Sequence, residues 1–490
     1  MTDLNAQGAS ADPRSRARWL IVAAMLTAEL MDLLDSTIVN VAGPSLRRSL
    51  DTSSGGLQWV IGSYALSLGA GLVLGGLLGD RFGRRHTFLL GLGSFTVVSA
   101  LCAVAPNTAV LIALRLAQGL AGALLLPQGL GLLRENFSGK ELAAVFGIFG
   151  PVLGIGGVLG PIIGGGLVQA DLGGIGWRAV FLVNVPIGLA ALAVAGKVLP
   201  RRAGDRTVRL DLTGAGLVAA SAALLVLPLN EGQSQGWPLW TWLSLAAAVA
   251  GFAGFAAQQR HRAAHGRVPL VSASLFTKSA YTAGLAGIAL FFSGLIGSQL
   301  LLTLFLQSGH GYSAGAAGVG NLPLALGTTV GGGLSGAVLA AKLGRAVLQI
   351  GAVIQLAGNS WLWFELGHGG TFSIWSIVPG VAISGIGAGL VIAALFSVIL
   401  AAVDDHEIGS ASGVLSAVQS IAGSAGVAAF GSVFFAGLSS TTAADGFRHA
   451  LFIQGGLLLV FLVLTVVFPK QARPDETTVA RVEPTPTVAV

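Results

Sequence analysis

The feature that most limits the fold is a long succession of apolar runs, each about as long as a membrane is thick. Fourteen such runs are separated by short breaks that carry charged residues or Gly, Pro and Asn. A helix needs about 20 apolar residues to cross a bilayer, and each run comes close to that length. The sequence therefore predicts an all-α integral membrane protein with 14 transmembrane helices. The predicted spans are 19–41, 57–79, 86–105, 108–133, 142–168, 179–199, 211–229, 238–257, 281–306, 315–341, 346–366, 372–402, 409–436 and 447–468.

Composition agrees with a membrane protein and excludes several other classes. Only 10% of the residues are charged, whereas a soluble domain carries about 25%. The net charge of +6 lies in short loops and not on one face, so no nucleic-acid partner is expected. The single cysteine, Cys102, lies in an apolar run and provides neither a disulfide framework nor a metal site. The first apolar run is too long for a signal peptide, so it is expected to be retained as the first span.

The distribution of Lys and Arg predicts the topology. With the N-terminus in the cytoplasm, 22 of the 27 basic residues lie in inner segments, as the positive-inside rule requires. The outer segments contain only Arg47, Arg48, Arg178 and Arg448, and Arg115 lies within a span. This alternation predicts an even number of spans in the plasma membrane, with both termini cytoplasmic.

Weak internal symmetry divides the spans into two sets of six. The loop that follows the second span, Gly76–Arg85, has a degraded copy after the tenth span, Ala341–Arg345. Repeated halves with a site between them are typical of secondary transporters. The predicted regions are a cytoplasmic segment 1–18, a six-helix half 19–199, basic linkers with two extra transmembrane helices 200–280, a second six-helix half 281–468, and a disordered cytoplasmic tail 469–490.

Three carboxylates, Glu29, Asp32 and Asp35, lie inside the first span. A charge near the bilayer centre costs at least ~2.5–3.5 kcal/mol, so such acids are candidates for function. At 100° per residue they cover roughly 120° of one helix face, which can line a cavity. The alternative of an acid at the helix end that reaches water fits Asp35 in part, but fits Glu29 poorly because Glu29 is near mid-depth.

Arg115 is the only basic residue inside a span, and its predicted depth of ~12 Å matches that of Asp32. An unpaired guanidinium at this depth is costly, so we expect a partner on the first span, either Asp32 or Asp35, with Gln118 one turn further on. A neighbouring guanidinium favours a charged carboxylate and burial disfavours it, so a rearrangement of the cavity can load or release a proton.

Two further motifs go beyond what plain membrane insertion requires. The inner loop contains Asp80, Arg81, Gly83, Arg84 and Arg85, in which the glycine permits a tight turn and the acid can pair with the arginines. This cluster is predicted to be a cytoplasmic gate, although the positive-inside rule alone explains the arginines. A second motif lies in the fifth span, where small residues form a groove for a neighbouring helix, with generic packing as the alternative. Its members are Gly156, Gly160, Pro161, Gly164 and Gly165.

Taken together, these motifs resemble those of the major facilitator superfamily, specifically its fourteen-span drug:proton antiporters. The matching stretches are Leu34–Pro44, Gly76–Arg85, Arg115 with Gln118 and Gly119, Gly156–Gly165, and Trp177–Gly188. The resemblance implies alternating-access export of hydrophobic, often cationic drugs in exchange for protons. It also implies that Asp35 is the family acid of the first span, Arg115 the proton-coupling arginine, and Gly76–Arg85 the gate. No acid occurs in predicted spans nine, ten, twelve or thirteen, which departs from some relatives and puts a cation preference in doubt.

Other functions fit less well. His261 and His265 have helical spacing but no third ligand, and no Walker lysine is present, so neither an enzyme nor an ATP-driven pump is expected. We expect a monomer without a cofactor, driven by the proton gradient. A carrier dedicated to one metabolite or to a self-made antibiotic, or an uptake carrier, is the alternative. Asp404, Asp405 and Glu407 in an inner loop are expected to be solvated.

Overall fold

The protein is described here from a computed structural model. It describes residues 13–137, 159–206, 211–232, 235–265, 269–271, 273–335, 339–367, 373–404, 407–440 and 442–471. These residues form helices joined by short turns, which confirms the all-α fold. Side chains at helix starts satisfy free backbone amides, as where Ser53 accepts a hydrogen bond from Gly56 N and Asn107 accepts one from Val110 N.

The first half of the chain and the pair that follows it contain nine α-helices in the described residues. They are α1 (Pro13–Ser49), α2 (Ser54–Phe82), α3 (Arg84–Ala103), α4 (Thr108–Asn136), α5 (Leu159–Ala170), α6 (Ala179–Leu182), α7 (Asn184–Val198), α8 (Leu212–Glu231) and α9 (Leu239–Ala264). The two parts of α2, Ser54–Leu72 and Leu74–Phe82, are bent by 51° relative to each other.

The remaining described residues contain eight further α-helices. They are α10 (Ser279–Leu304), α11 (Ala314–Gly320), α12 (Leu322–Leu334), α13 (Ala340–Leu343), α14 (Arg345–Glu365), α15 (Ile374–Leu400), α16 (Ile408–Ser440) and α17 (Ala443–Thr465). Helix α10 continues into a π-helical turn at Phe305–Gly309, which brings that apolar segment to 31 residues.

Helix lies within each of the fourteen segments that the sequence predicts to cross the membrane. Among the described residues, nine helices are long and apolar enough to do so, or ten if the bent α2 is one span. The count of fourteen therefore stays a prediction. Part of the fifth predicted span lies outside the described residues, and its described portion forms α5.

Helix contacts repeat between the first and last parts of the chain. Helices α2 and α3 both pack on α4, and α1 and α3 both pack on α7. In the second part α12 and α14 both pack on α15, and α10 and α14 both pack on α17. The same pattern of helix contacts therefore occurs twice, once in each of the two predicted sets of spans. Helix α8 contacts α2 of one set and α16 of the other, while α9 packs mainly on α8.

The hydrophobic core shows where the two sets meet. One cluster combines Ile38 and Leu46 of α1 with Leu300 of α10 and Phe430 and Phe434 of α16. These residues lie toward the side that the charge distribution predicts to face outward. Toward the opposite side, one cluster consists of first-set residues and another of residues from the second set and the segment before it. The cluster on the predicted outer side thus joins residues of both sets.

The inner ends of the second set are joined by a polar cluster that the sequence did not predict. Lys278 Nζ lies 2.7 Å from Asp404 Oδ2 and 3.2 Å from Glu407 Oε2, and the Ser274 hydroxyl also donates to Glu407. The hydrogen bond to Asp404 raises the pKa of Lys278 above its usual value. Glu407 is only 4% exposed, so the expectation of a solvated side chain was wrong for this residue. Asp404 is exposed as expected, and Asp405 lies outside the described residues.

A second polar cluster fixes the inner end of the α8–α9 pair. Asp211 caps α8 through Gly214 N at 2.9 Å and accepts a hydrogen bond from Gln259 Nε2 at 2.8 Å. Arg262 lies 3.3 Å from the same carboxylate. Burial alone would raise the pKa of Asp211, but the donors and the guanidinium outweigh it and the pKa is lowered. Gln259 Oε1 accepts from Leu270 N at 2.6 Å, so the pair is tied to the linker before α10.

Candidate functional site

Asp35 lies at the centre of a buried polar network and is fully enclosed. Its Oδ1 accepts hydrogen bonds from Gln118 Nε2 at 2.9 Å and from Asn184 Nδ2 at 2.8 Å. Its Oδ2 accepts a hydrogen bond from Arg115 Nη1. The carboxylate is 0% exposed, and three donors from α4 and α7 satisfy it, as a buried charge requires.

Arg115 supplies the positive charge of this network and is itself surrounded by partners. Its Nη1 also donates to Gln118 Oε1 at 2.8 Å, and its Nε donates to Val60 O of α2 at 3.3 Å. The guanidinium carbon lies 4.4 Å from the centre of the Tyr64 ring, within the range of a cation–π interaction. The sequence left Asp32 and Asp35 as alternative partners, and the structure pairs Arg115 with Asp35.

Two members of the network, Asn184 and Ser99, were not among the predicted site residues. Asn184 Nδ2 lies 3.1 Å from Ser99 Oγ as well as contacting Asp35, and Ser99 Oγ donates to Phe181 O at 2.9 Å. Asn184 belongs to the stretch that resembles the family, which could have drawn attention to it. Ser99 carries no such signal because single serines are frequent in membrane helices. Four helices, α1, α3, α4 and α7, thus converge on one carboxylate.

The other two acids of α1 lie on the same side of the helix but remain partly accessible. Asp32 accepts a hydrogen bond from the Tyr64 hydroxyl of α2. A Cβ atom built on Gly129 of α4 would lie 3.8 Å from Glu29 Oε1. Glu29 and Asp32 are half-buried, in contrast to Asp35. All three acids therefore face α2 or α4 and not the surrounding lipid.

The predicted gate loop forms a compact inner structure. Asp80 and Arg84 form an ion pair at 3.1 Å with both side chains partly exposed, an arrangement worth about 0–1 kcal/mol. Arg81 stacks against Phe82 at 5.5 Å. Arg85 Nη2 donates to Gly196 O near the end of α7 at 2.7 Å.

The segment after α7 packs directly on this loop. Asp205 N donates to Asp80 O at 2.8 Å. Gly83 has a φ of +93°, and a Cβ atom there would lie 2.7 Å from Arg202 O. The linker that precedes α8 therefore rests on the backbone of the predicted gate, and Gly83 makes the close approach possible.

The degraded copy of the loop in the second set makes the same kind of contact. Gly344 has a φ of +53°, and a Cβ atom there would lie 2.1 Å from Lys470 O. Arg345 Nη1 donates to Val466 O at 2.6 Å, as Arg85 does to Gly196 in the first set. In each loop the arginine thus binds a carbonyl group at the end of the last helix of its own set, and the glycine packs on the segment that follows that helix. The copy lacks a counterpart of Asp80.

Replacing Gly83 with Ala is expected to disturb the gate loop, because an L-residue at this φ is strained by roughly 1–2 kcal/mol and its Cβ would meet Arg202 O. Gly93→Ala in α3 is the control, since Gly93 lies outside the gate loop and an added Cβ would have no neighbour within 4 Å. The unfolding temperature in detergent and the transport rate should both fall for Gly83→Ala and stay near wild type for Gly93→Ala. Equal behaviour of the two variants would contradict the contact.

The glycines of α5 are contact points for two different helices. Cβ atoms built on Gly160 and Gly164 would lie 2.0 Å from Thr37 Oγ1 and 2.5 Å from Ile38 Cγ1 of α1. One built on Gly165 would lie 2.5 Å from Ala314 O of α11. Pro161 meets α11 as well, because a Cβ on Gly318 would lie 2.3 Å from its carbonyl oxygen. Gly156 lies outside the described residues.

An open cavity of about 620 Å³ lies beyond these contacts on the predicted outer side. Its walls come from both sets and include Arg47 and Arg48 from the end of α1 and Tyr312 before α11. Gln307 also lines it and donates from Nε2 to Val41 O at 2.8 Å, which ties α10 to α1 beneath the cavity.

Two sets of membrane-length helices with a buried charged network in one of them are typical of a membrane transporter. The sequence model of the Major Facilitator Superfamily matches residues 25–427. The chain belongs to this superfamily, a class of multi-pass membrane proteins, as its motifs had predicted.

Relatives and solved structures agree with this assignment. A probable actinorhodin transporter of Streptomyces coelicolor is 43% identical over 89% of this chain and 76% of its own length. A tetracenomycin C resistance and export protein of Streptomyces glaucescens is 35% identical over 84% and 75%. A puromycin resistance protein of Streptomyces alboniger is 33% identical over 96% and 95%. The fold is similar to that of a bacterial homologue of the human drug peptide transporters, with a TM-score of 0.63, 15% identity, and coverage of 92% of this chain and 97% of the other.

Proposed function

We propose that this protein exports antibiotic-like small molecules across the plasma membrane in exchange for protons. The observation that carries the proposal is the enclosure of Asp35 by Arg115, Gln118 and Asn184 at a depth where a charge is costly. A carboxylate whose charge is held by one guanidinium can be neutralised by a single proton, and neutralisation weakens its bond to that guanidinium. The names of three relatives, which refer to actinorhodin, tetracenomycin C and puromycin, support an antibiotic as cargo.

Alternating access links the proton to the cargo in this proposal. The shared outer core and the α1–α10 contact at Gln307 correspond to a state closed toward the outside. Opening of the outer side lets a proton reach Asp35 and lets cargo leave. Return to the outer-closed state delivers the proton to the cytoplasm, where the next cargo molecule binds. Each cycle then moves protons inward and cargo outward.

The charges of the site indicate the chemical class of the cargo. Glu29 and Asp32 are half-buried acids on the same face of α1 as Asp35, so the first set offers negative charge that a hydrophobic cation would neutralise. We propose a small hydrophobic or cationic cargo and a monomer within the lipid bilayer. Both termini are cytoplasmic, and no cofactor takes part.

Transport by purified protein in lipid vesicles tests this function. Puromycin, tetracenomycin C and ethidium are suitable probes, the last being a fluorescent hydrophobic cation. In inside-out vesicles with an acidic lumen, uptake of at least one probe should rise severalfold and should collapse when a protonophore is added. Uptake driven by protons that move in the same direction as the probe would identify an uptake carrier and reject the proposal. Ion currents without probe would identify a channel.

A further inference from the structure

Tyr64 of α2 contacts two charged groups of the site at once. Its hydroxyl donates a hydrogen bond to Asp32 Oδ1. The face of its ring lies 4.4 Å from the guanidinium carbon of Arg115. The residue is 1% exposed, and the edge-to-face contact with Phe95 of α3, at 6.2 Å, fixes the plane of the ring. One side chain therefore connects the half-buried Asp32 to the guanidinium that holds Asp35.

Helix α4 is shaped to admit this side chain. A Cβ atom built on Gly122 would lie 3.1 Å from the Tyr64 hydroxyl oxygen and 3.6 Å from Asp32 Oδ1. A Cβ on Gly119, one turn earlier, would lie 2.3 Å from the Tyr64 carbonyl oxygen. The close approach of α2 and α4 at these two glycines places the tyrosine between the acids of α1 and Arg115.

The two carboxylates on either side of Tyr64 differ in their surroundings. Asp35 is completely enclosed and accepts hydrogen bonds from three side chains. Asp32 keeps accessible surface, so a cation or a proton can reach it without disturbing the enclosed pair. The charged groups around Tyr64 are Asp32 and Asp35 of α1 and Arg115 of α4, and Glu29 lies further along α1 against Gly129.

We infer that Tyr64 is a positioning residue that transmits the state of Asp32 to the Arg115–Asp35 pair. The inference rests on the proposed proton-coupled export. When Asp32 is ionised and free of cargo, it accepts the Tyr64 O–H and holds the ring against the guanidinium. When a cationic cargo occupies the Asp32 oxygens, the carboxylate becomes a weaker acceptor and the ring is released. The Arg115 guanidinium then loses the ring as a partner, and Asp35 alone compensates its charge. The ionised form of Asp35 is thereby favoured, so Asp35 releases its proton when cargo binds, as exchange in opposite directions requires.

This assigns different tasks to two acids of the same helix. Asp32 responds to cargo, and Asp35 carries the exchanged proton. The order of events follows from exposure, because cargo meets the half-buried acid before any change reaches the enclosed one. Coupling therefore depends on the tyrosine hydroxyl and not only on the presence of both carboxylates.

Tyr64→Phe tests the inference because it keeps the ring against Arg115 and removes only the hydroxyl. Vesicles are loaded with a pH-sensitive dye, and proton movement is measured with and without the best-transported compound among puromycin, tetracenomycin C and ethidium. In the wild type, proton movement should increase severalfold when the compound is added. In Tyr64→Phe this increase should be lost and accumulation of the compound should fall at least tenfold. Asp32→Asn should reproduce both effects, and the double variant should be no worse than either single variant.

Tyr281→Phe is the matched control. Its hydroxyl is also buried and donates to Ala411 O at 2.9 Å, within the second set and away from the three acids of α1. Tyr281→Phe removes the same oxygen atom as Tyr64→Phe, but proton movement should stay coupled to the compound. If Tyr64→Phe couples like the wild type, or if Tyr281→Phe loses coupling equally, the inference is overturned while the proposed function stands. If the wild type itself shows no proton movement with any compound, both the inference and the proposed function are rejected.

Discussion

Replacement of Asp35 by Asn is expected to abolish proton-driven export while the protein still inserts into the membrane. The amide has nearly the shape of the carboxylate but cannot carry a proton between the two sides. It also leaves the guanidinium of Arg115 without its counter-charge at a position that is 1% exposed. Loss of one partner from a buried ion pair costs about 3–5 kcal/mol, so a lower unfolding temperature is expected too.

Loss of transport through loss of coupling must be separated from loss of folding. Asp35→Asn combined with Arg115→Gln removes both charges and should recover much of the thermal stability but none of the transport. Asp445→Asn makes the same chemical change at a half-exposed position on the outer end of α17, where Asp445 pairs with Arg448 at 3.8 Å, and should transport normally. Full proton-driven uptake by the Asp35→Asn protein in vesicles would reject the coupling role of this acid.

The second large effect is expected at Gly165 of α5. A Cβ atom at this position would lie 2.5 Å from Ala314 O and 2.9 Å from Gly315 Cα, so Gly165→Ala forces α5 and α11 apart. Overpacking of this kind costs about 1–3 kcal/mol. The cost applies to the conformation described here, in which the two helices touch and which we propose is closed toward the outside. A shift of 1.4 kcal/mol changes an equilibrium between two conformations about tenfold. We expect transport to fall at least tenfold.

Gly166 provides the matched control for this substitution. It is the next residue on the same helix, and a Cβ atom there would have no neighbour within 4 Å. Gly166→Ala adds the same methyl group as Gly165→Ala. Both variants gain the same intrinsic helix preference, because Ala is favoured over Gly in a helix by up to about 1 kcal/mol. The transport rate and unfolding temperature of Gly166→Ala should therefore equal or exceed those of the wild type. Similar rates for the two alanine variants would show that the α5–α11 contact does not limit the cycle.

The sequence showed which charged residues form the site, but it showed only in part which side chains contact each other. Acids in the first span and a lone arginine in the fourth are conspicuous because the surrounding residues are apolar. Depth counted along two helices did not separate Asp32 from Asp35, since they are three residues apart on one face. Tyr64 and Ser99 escaped notice because a tyrosine or serine within a membrane helix usually has a packing role.

The same limit applies to contacts between distant loops. Glu407 lies in a charged loop and was expected to face water, but the approach of Ser274 and Lys278 buries it. The groove of α5 was recognisable from its spacing. The sequence did not show which helices pack into this groove. In the structure, both α1 and α11 do so. No local pattern contains this information because the partners are far away in the chain.

The sequence by itself determined the membrane environment, the helical fold and the superfamily. These depend on hydropathy and on motifs that are contiguous in the chain, and each helix satisfies its own backbone hydrogen bonds wherever its neighbours lie. Only the tertiary structure decided that Arg115 binds Asp35, that Tyr64 joins Asp32 to this pair, and that both sets of helices pack together on the predicted outer side. Those outcomes depend on the rotation and depth of each helix against its neighbours, which side-chain packing between distant segments sets.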